Sequence, residues 1–202
     1  MPEPTDTTSG TNLVDRLRPN RRITGMSAIL LPFTASGEVD WFGFEGHVER
    51  TLAAGLAPAV NMDTGYVQAI DPATRSAVLQ LTGELCGDRR FVAGAFVADA
   101  PGDPFDAAGY RAAATEIVEA GGTPVVFPSW GLHELDERGW VDVQAALGAG
   151  IGEFIGCELG LMFGPNGRIA ALDGYRELMA VPECIGAKHS SLSRRLEWDR
   201  LA

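Results

Sequence analysis

Lysine occurs once in this 202-residue chain, against fifteen arginines, so Lys188 does not answer a general demand for positive charge. It ends the short apolar run Cys184-Ile185-Gly186-Ala187, where the alternation of a strand puts it on the face of Cys184 and Gly186. A lysine partly withdrawn from water loses some of its preference for the charged form, and its neutral amine attacks a carbonyl carbon to give an imine. The protonated imine then draws electrons from a neighbouring carbon-carbon bond, which suits cleavage, condensation or dehydration. The plainer alternative is a lysine that reaches to solvent along its aliphatic stem, or pairs with a carboxylate such as Glu158.

Glu158 closes another apolar run, 154–158. It reads either as an acid-base group or as the counter-ion of Lys188 or Arg168, with a solvated strand-end carboxylate as the alternative. Arg168 lies in the turn-rich Gly164-Pro165-Asn166-Gly167-Arg168; its guanidinium matches a substrate carboxylate in two-pronged fashion, or it is a surface arginine. His47, His133 and His189 show no HxxxH or HExxH spacing, so a metal-assisted mechanism depends on His133, Glu158 and His189 meeting in space. The expectation is no metal and no organic cofactor. Gly148-Ala149-Gly150-Ile151-Gly152 precedes a strand instead of joining a strand to a helix, which makes it a helix terminator and turn, not a dinucleotide loop.

The elements that position these residues repeat along the chain. Six apolar runs, at 26–31, 58–62, 91–95, 124–127, 154–158 and 184–188, have centres 30 to 33 residues apart, the length of one strand-loop-helix-loop unit. Between them, 41–54, 73–86, 105–120, 140–147 and 172–179 carry apolar residues three and four apart, as amphipathic helices do. Asp71-Pro72 and Asp103-Pro104 each read as a helix cap followed by a first-turn proline. Continuously apolar strands are those of a parallel sheet buried on both faces, so the fold class is α/β. Even spacing and polar residues at several strand ends favour a TIM (β/α)8 barrel over an open doubly wound sheet. A full barrel has eight strands and about 250 residues. About six βα units are therefore expected in 21–202, behind a polar, flexible N-terminal extension at 1–20, with the chain stopping before strands seven and eight.

The net charge of -11 argues against nucleic-acid and anionic-membrane partners, which attract basic surfaces. No apolar stretch has the length of a membrane span, and a cytoplasmic location is expected. Cys86, Cys157 and Cys184 lack CxxC spacing and read as reduced, buried thiols.

Two segments carry a family resemblance. Gly186-Ala187-Lys188-His189-Ser190-Ser191 resembles the imine-forming strand of the dihydrodipicolinate synthase and N-acetylneuraminate lyase family, in which Gly-Ile/Ala-Lys precedes a small polar pair. Gly25-Met26-Ser27-Ala28-Ile29-Leu30-Leu31-Pro32-Phe33, followed by Gly37-Glu38-Val39-Asp40, is similar to that family's opening strand. The resemblance runs from about residue 23 to 195 in the same order and spacing. It implies a class I, aldolase-type lyase or dehydratase with Lys188 as nucleophile, a small 2-oxo acid or keto-deoxy sugar acid as substrate, and a homo-oligomer when complete.

The same resemblance singles out Met62-Asp63-Thr64-Gly65-Tyr66, where the family has Gly-Thr-Thr-Gly-Glu. Thr64 is retained as a proton relay or substrate contact together with Gly65, and Asp63 and Tyr66 are replacements. Ser129 and Trp130 stand where the family has a tyrosine pair, so the usual proton shuttle is missing there and another group such as Tyr66, Glu158 or His189 must take its place. Ser190 belongs to the small polar pair after the lysine. Two other functions stay open: a non-catalytic barrel fragment that binds a ligand or partner, and a metal-assisted carbon-carbon lyase.

Overall fold

The computed structural model describes residues 19–20 and 23–201; nearly all of the expected extension at 1–20 lies outside the described residues. Six strands follow one another in sequence order across one sheet: β1 (Met26–Ala28), β2 (Ala57–Val60), β3 (Val92–Ala95), β4 (Thr123–Val126), β5 (Phe154–Leu159) and β6 (Cys184–Ser190). Every pairing is parallel. The helices are α1 (Trp41–Ala53), α2 (Pro72–Cys86), α3 (Ala107–Glu119), the short α4 (Trp130–His133), α5 (Glu137–Ile151), α6 (Leu172–Met179) and α7 (Arg194–Leu201). Residues from all six strands, from Met26 in β1 to Lys188 in β6, line one cavity, which requires the sheet to curl. The chain thus folds as six consecutive βα units of a (β/α)8 barrel.

Alternation sorts the strands into two apolar layers. Ala59, Val92, Val125, Phe127, Ile155 and Cys157 form an inner cluster. Val60, Ala93, Val126 and Phe154 join the helices in an outer one, where Phe44, Val48, Leu79, Tyr110, Ile117 and Leu178 pack over the sheet. Burying each such large side chain contributes about 1.5–3 kcal/mol, so the outer layer supplies most of the apolar stabilisation. Gly156 belongs to this close contact: a Cβ there would stand 2.7 Å from Leu178.

The helix boundaries correct two readings. α2 begins as expected, with Asp71 accepting the Thr74 N–H at 2.8 Å ahead of Pro72 at the first turn. α3 is capped by Asp106, which accepts the Gly109 N–H, and not by Asp103, whose carboxylate folds back on the Ala100 N–H. α5 runs on through Gly148 and Gly150, and only Gly152, at φ +86°, stops it. Interior glycines weaken a helix by about 1 kcal/mol each, less than the packing of Trp140, Val141 and Leu147 returns.

A bulge in β6 makes the third correction. Phe154 pairs with Cys184, but Ile155 pairs with Gly186, so Ile185 is an extra residue. Cys184 therefore lies with the outer cluster, while Gly186 and Lys188 face the cavity.

Within the described residues, β1 and β6 each have one side without a strand neighbour. Met26 and Ile185 within them are 43% and 39% exposed. Unpaired edges next to open apolar surface recruit other chains. The 202-residue chain alone should elute from size exclusion as more than a monomer and melt over a broad range; a monomer with a sharp transition would contradict this. Among the described residues no helix is long and apolar enough to cross a membrane.

Candidate active site

Lys188 points into the curled sheet at the C-terminal ends of the strands, the end where barrels of this kind build their sites. β6 sets this direction. Lys188 is in register with Cys157 of β5, whose side chain lies in the inner cluster. Across the cavity β2 runs into a single 3-10 turn, Asp63–Gly65, and places Asp63 Oδ1 3.9 Å from Lys188 Nζ. The lysine and aspartate side chains are 33% and 41% exposed. Thr64 lines the same cavity, which has a volume of about 640 Å³ and largely apolar walls that include Ala59, Val92, Val125 and Ile155. Gly65 is buried behind the turn, against the carbonyl of Ile29. An amine held beside a carboxylate in an apolar hollow can make and break a bond to a carbonyl carbon, with the carboxylate at hand for the charge that develops.

Several expected site residues stand elsewhere. Glu158 is neither the counter-ion of Lys188 nor that of Arg168. It follows Cys157 and so faces the helices, fully buried. There it accepts both nitrogens of the Arg200 fork from α7, His189 Nδ1 at 2.7 Å and the Ala170 N–H at 2.9 Å. His189 Nε2 meets Ser191 Oγ at 2.8 Å. Glu158 and His189 do converge, but among the described residues no three His, Cys, Asp or Glu side chains are grouped to hold a metal. Arg168 pairs with Glu137 at 2.9 Å, donates to the Leu135 carbonyl and lies over Trp140, so its fork is already engaged.

Ser129 is buried as the cap of α4, accepting the Leu132 N–H. Trp130 opens that helix, edge-on to His133. Tyr66 takes a left-handed backbone at φ +60°, stands beside Phe33 and lines a different cavity with Glu38 and Asp71. Ser190 is half-buried in β6, with its carbonyl accepting the Gly160 N–H. Of the ten residues expected at the site, the structure brings Lys188, Asp63 and Thr64 into one cavity.

Sequence reasoning missed three residues. Arg200 holds Glu158 from 42 positions away. Asp99 orders the loop after β4, accepting the N–H groups of both Trp130 and Gly131. Tyr110 donates to the Phe127 carbonyl from α3. For Asp99 the only available signal was a carboxylate near a strand end; for Arg200 and Tyr110 there was none.

The three cysteines are free and buried. Burial pushes the Cys157 thiol up to about 12, with the Lys188 charge pulling it back in part. The fold thus favours the neutral thiol. Its contribution to stability is whole below the ordinary value of 9.0 and is lost as the pH climbs from there to about 12. Iodoacetamide at pH 8 should leave Cys157 unmodified in the folded chain and alkylate it in urea; equal labelling in both states would refute the burial.

No protein-family model matches the chain, and no curated protein matches it in sequence. Solved structures do match. A dihydrodipicolinate synthase from Rhodopseudomonas palustris superposes with a TM-score of 0.67 at 17% identity, over 84% of this chain and 55% of its own. The chain has the fold of the dihydrodipicolinate synthases. Sialic acid aldolase from Ruminococcus gnavus, known also as a catalytic lysine mutant, matches the same barrel at 0.65 and 16% identity, over 84% and 55%. The Acinetobacter baumannii synthase complexed with pyruvate matches at 0.63 and 16%, over 82% and 55%. This chain spans somewhat more than half the length of these synthase-fold proteins.

Proposed function

We propose that the chain carries the site of an aldolase-type lyase that acts through an imine at Lys188. The observation that carries this reading is the position of the only lysine, at the C-terminal end of β6 and facing the cavity. The fold similarity to an aldolase with a catalytic lysine supports it. The neutral amine adds to a carbonyl carbon and passes a proton to the oxygen. The oxygen takes a second proton from solvent and leaves as water, and the nitrogen keeps the positive charge. That iminium accepts the electron pair of the bond between the α and β carbons and becomes an enamine, while the β-hydroxyl gives up its proton and the β carbon leaves as a carbonyl compound; protonation of the α carbon and addition of water then free the lysine. In this reading the hydroxyl of Thr64, which lines the cavity beside Asp63, passes the protons. Small 2-oxo acids and keto-deoxy sugar acids meet the chemical demand, and so do uncharged ketones and aldehydes.

A second reading, a barrel that binds a ligand without turning it over, is favoured by the engagement of Ser129 in capping α4, which leaves no acid-base group where the resemblance implies one. Reductive trapping separates the two. Under cyanoborohydride, a carbonyl probe should add its mass irreversibly to Lys188 in the lyase, and no adduct should form in a binding barrel.

A further inference from the structure

We infer that the carbonyl compound taken up by Lys188 carries no carboxylate, and that Asp63 is the residue that enforces this; the inference rests on the imine reading of Lys188. A charge count at the cavity makes the argument. Lys188 is positive as a free ammonium and positive again as an iminium, and Asp63 Oδ1 at 3.9 Å balances it. An uncharged ketone or aldehyde leaves that balance intact. A 2-oxo acid brings a carboxylate one carbon away from the atom bonded to Nζ, so the anion stays within a few ångströms of Asp63 however it turns, and the site becomes net negative.

Among the described residues, no further cation lines the cavity at the end where Asp63 sits. Arg168 is held by Glu137 and the Leu135 carbonyl, and Arg200 by Glu158 on the far side of the sheet. Arg75 donates to the carbonyls of Val67 and Ile70 and lies over Phe96. Arg90 does line the cavity, but it does so just before β3, at the opposite end of the strands, and pairs with Glu153 at 3.6 Å. The remaining walls are largely apolar and solvate an uncharged molecule better than an anion.

The test uses pyruvamide and pyruvate, two ketones of nearly the same shape of which only the second is charged. Each is trapped with cyanoborohydride on the native chain, and the rate of adduct formation at Lys188 is read by peptide mass and divided by that on free Nα-acetyl-lysine. Pyruvamide should exceed pyruvate by about ten-fold at low salt, and the gap should narrow as salt screens the partly exposed aspartate. Asp63→Asn should raise the pyruvate-to-pyruvamide ratio by about ten-fold. Pyruvate trapped as fast as pyruvamide, or a ratio unmoved by Asp63→Asn, overturns the inference and leaves the imine reading standing. Failure of both probes to modify Lys188 overturns the imine reading and this inference with it.

Discussion

Lys188→Met should abolish covalent trapping and lower kcat/KM by at least three orders of magnitude, roughly the loss of 4 kcal/mol or more of transition-state stabilisation. Methionine keeps the apolar stem and removes the nucleophile. The fold should hardly notice. Lys188 and Asp63 are both partly exposed and 3.9 Å apart, a pairing that contributes at most about 1 kcal/mol once solvent screening is allowed for. The melting temperature should therefore stay close to that of the native chain while the adduct disappears, which separates chemistry from stability. Normal turnover in Lys188→Met would end the imine mechanism. The single-lysine composition makes the measurement clean, because the amino terminus is the only other amine that reagents of this kind can reach.

Glu158→Ala should show the opposite pattern, a large loss of stability. The carboxylate is fully buried and answers Arg200, His189 and the Ala170 N–H together. Removing it strands a guanidinium whose side chain is only 4% exposed. Breaking one half of a buried pair costs about 3–5 kcal/mol, which for a domain of this size lowers the melting temperature by roughly 6–20 °C. α7 buries no apolar residue and is tied down mainly by Arg200, through Glu158 and through the ring of Tyr175. It should become the first segment cut by trypsin. The paired change Glu158→Leu with Arg200→Met should recover much of the loss, since apolar replacements of both partners leave no orphaned charge. A melting point within about 2 °C of native for Glu158→Ala would mean that solvent reaches this pair.

The strands, most helices and the lysine were legible because each rests on local signals. Apolar runs at 30 to 33 residue intervals give the βα repeat, and Asp71-Pro72 gives a cap because the whole motif fits in four residues. The placement of Glu158 was not legible. In a strand buried on both faces, as β5 is from Phe154 to Leu159, the polarity pattern no longer marks inside from outside, and the face is decided by neighbours that the sequence does not identify. The pairing of Asp63 with Lys188 spans 125 positions and depends on the curl of the sheet. Asp103-Pro104 reads locally as the cap of α3, but the role fell to Asp106 because the turn before it engages Asp103. The left-handed Tyr66 and the capping role of Ser129 likewise follow from how two loops leave their strands.

The extra residue in β6 acts as a buffer for strand length. Because Ile185 is looped out of the pairing between Phe154 and Ile155, the number of residues between α6 and the strand end is uncoupled from the direction in which the last side chains point. Deleting Ile185 would restore regular pairing at the start of the strand and leave Lys188 facing the barrel interior, so the phase of the strand's end is insulated from a one-residue change in length before it.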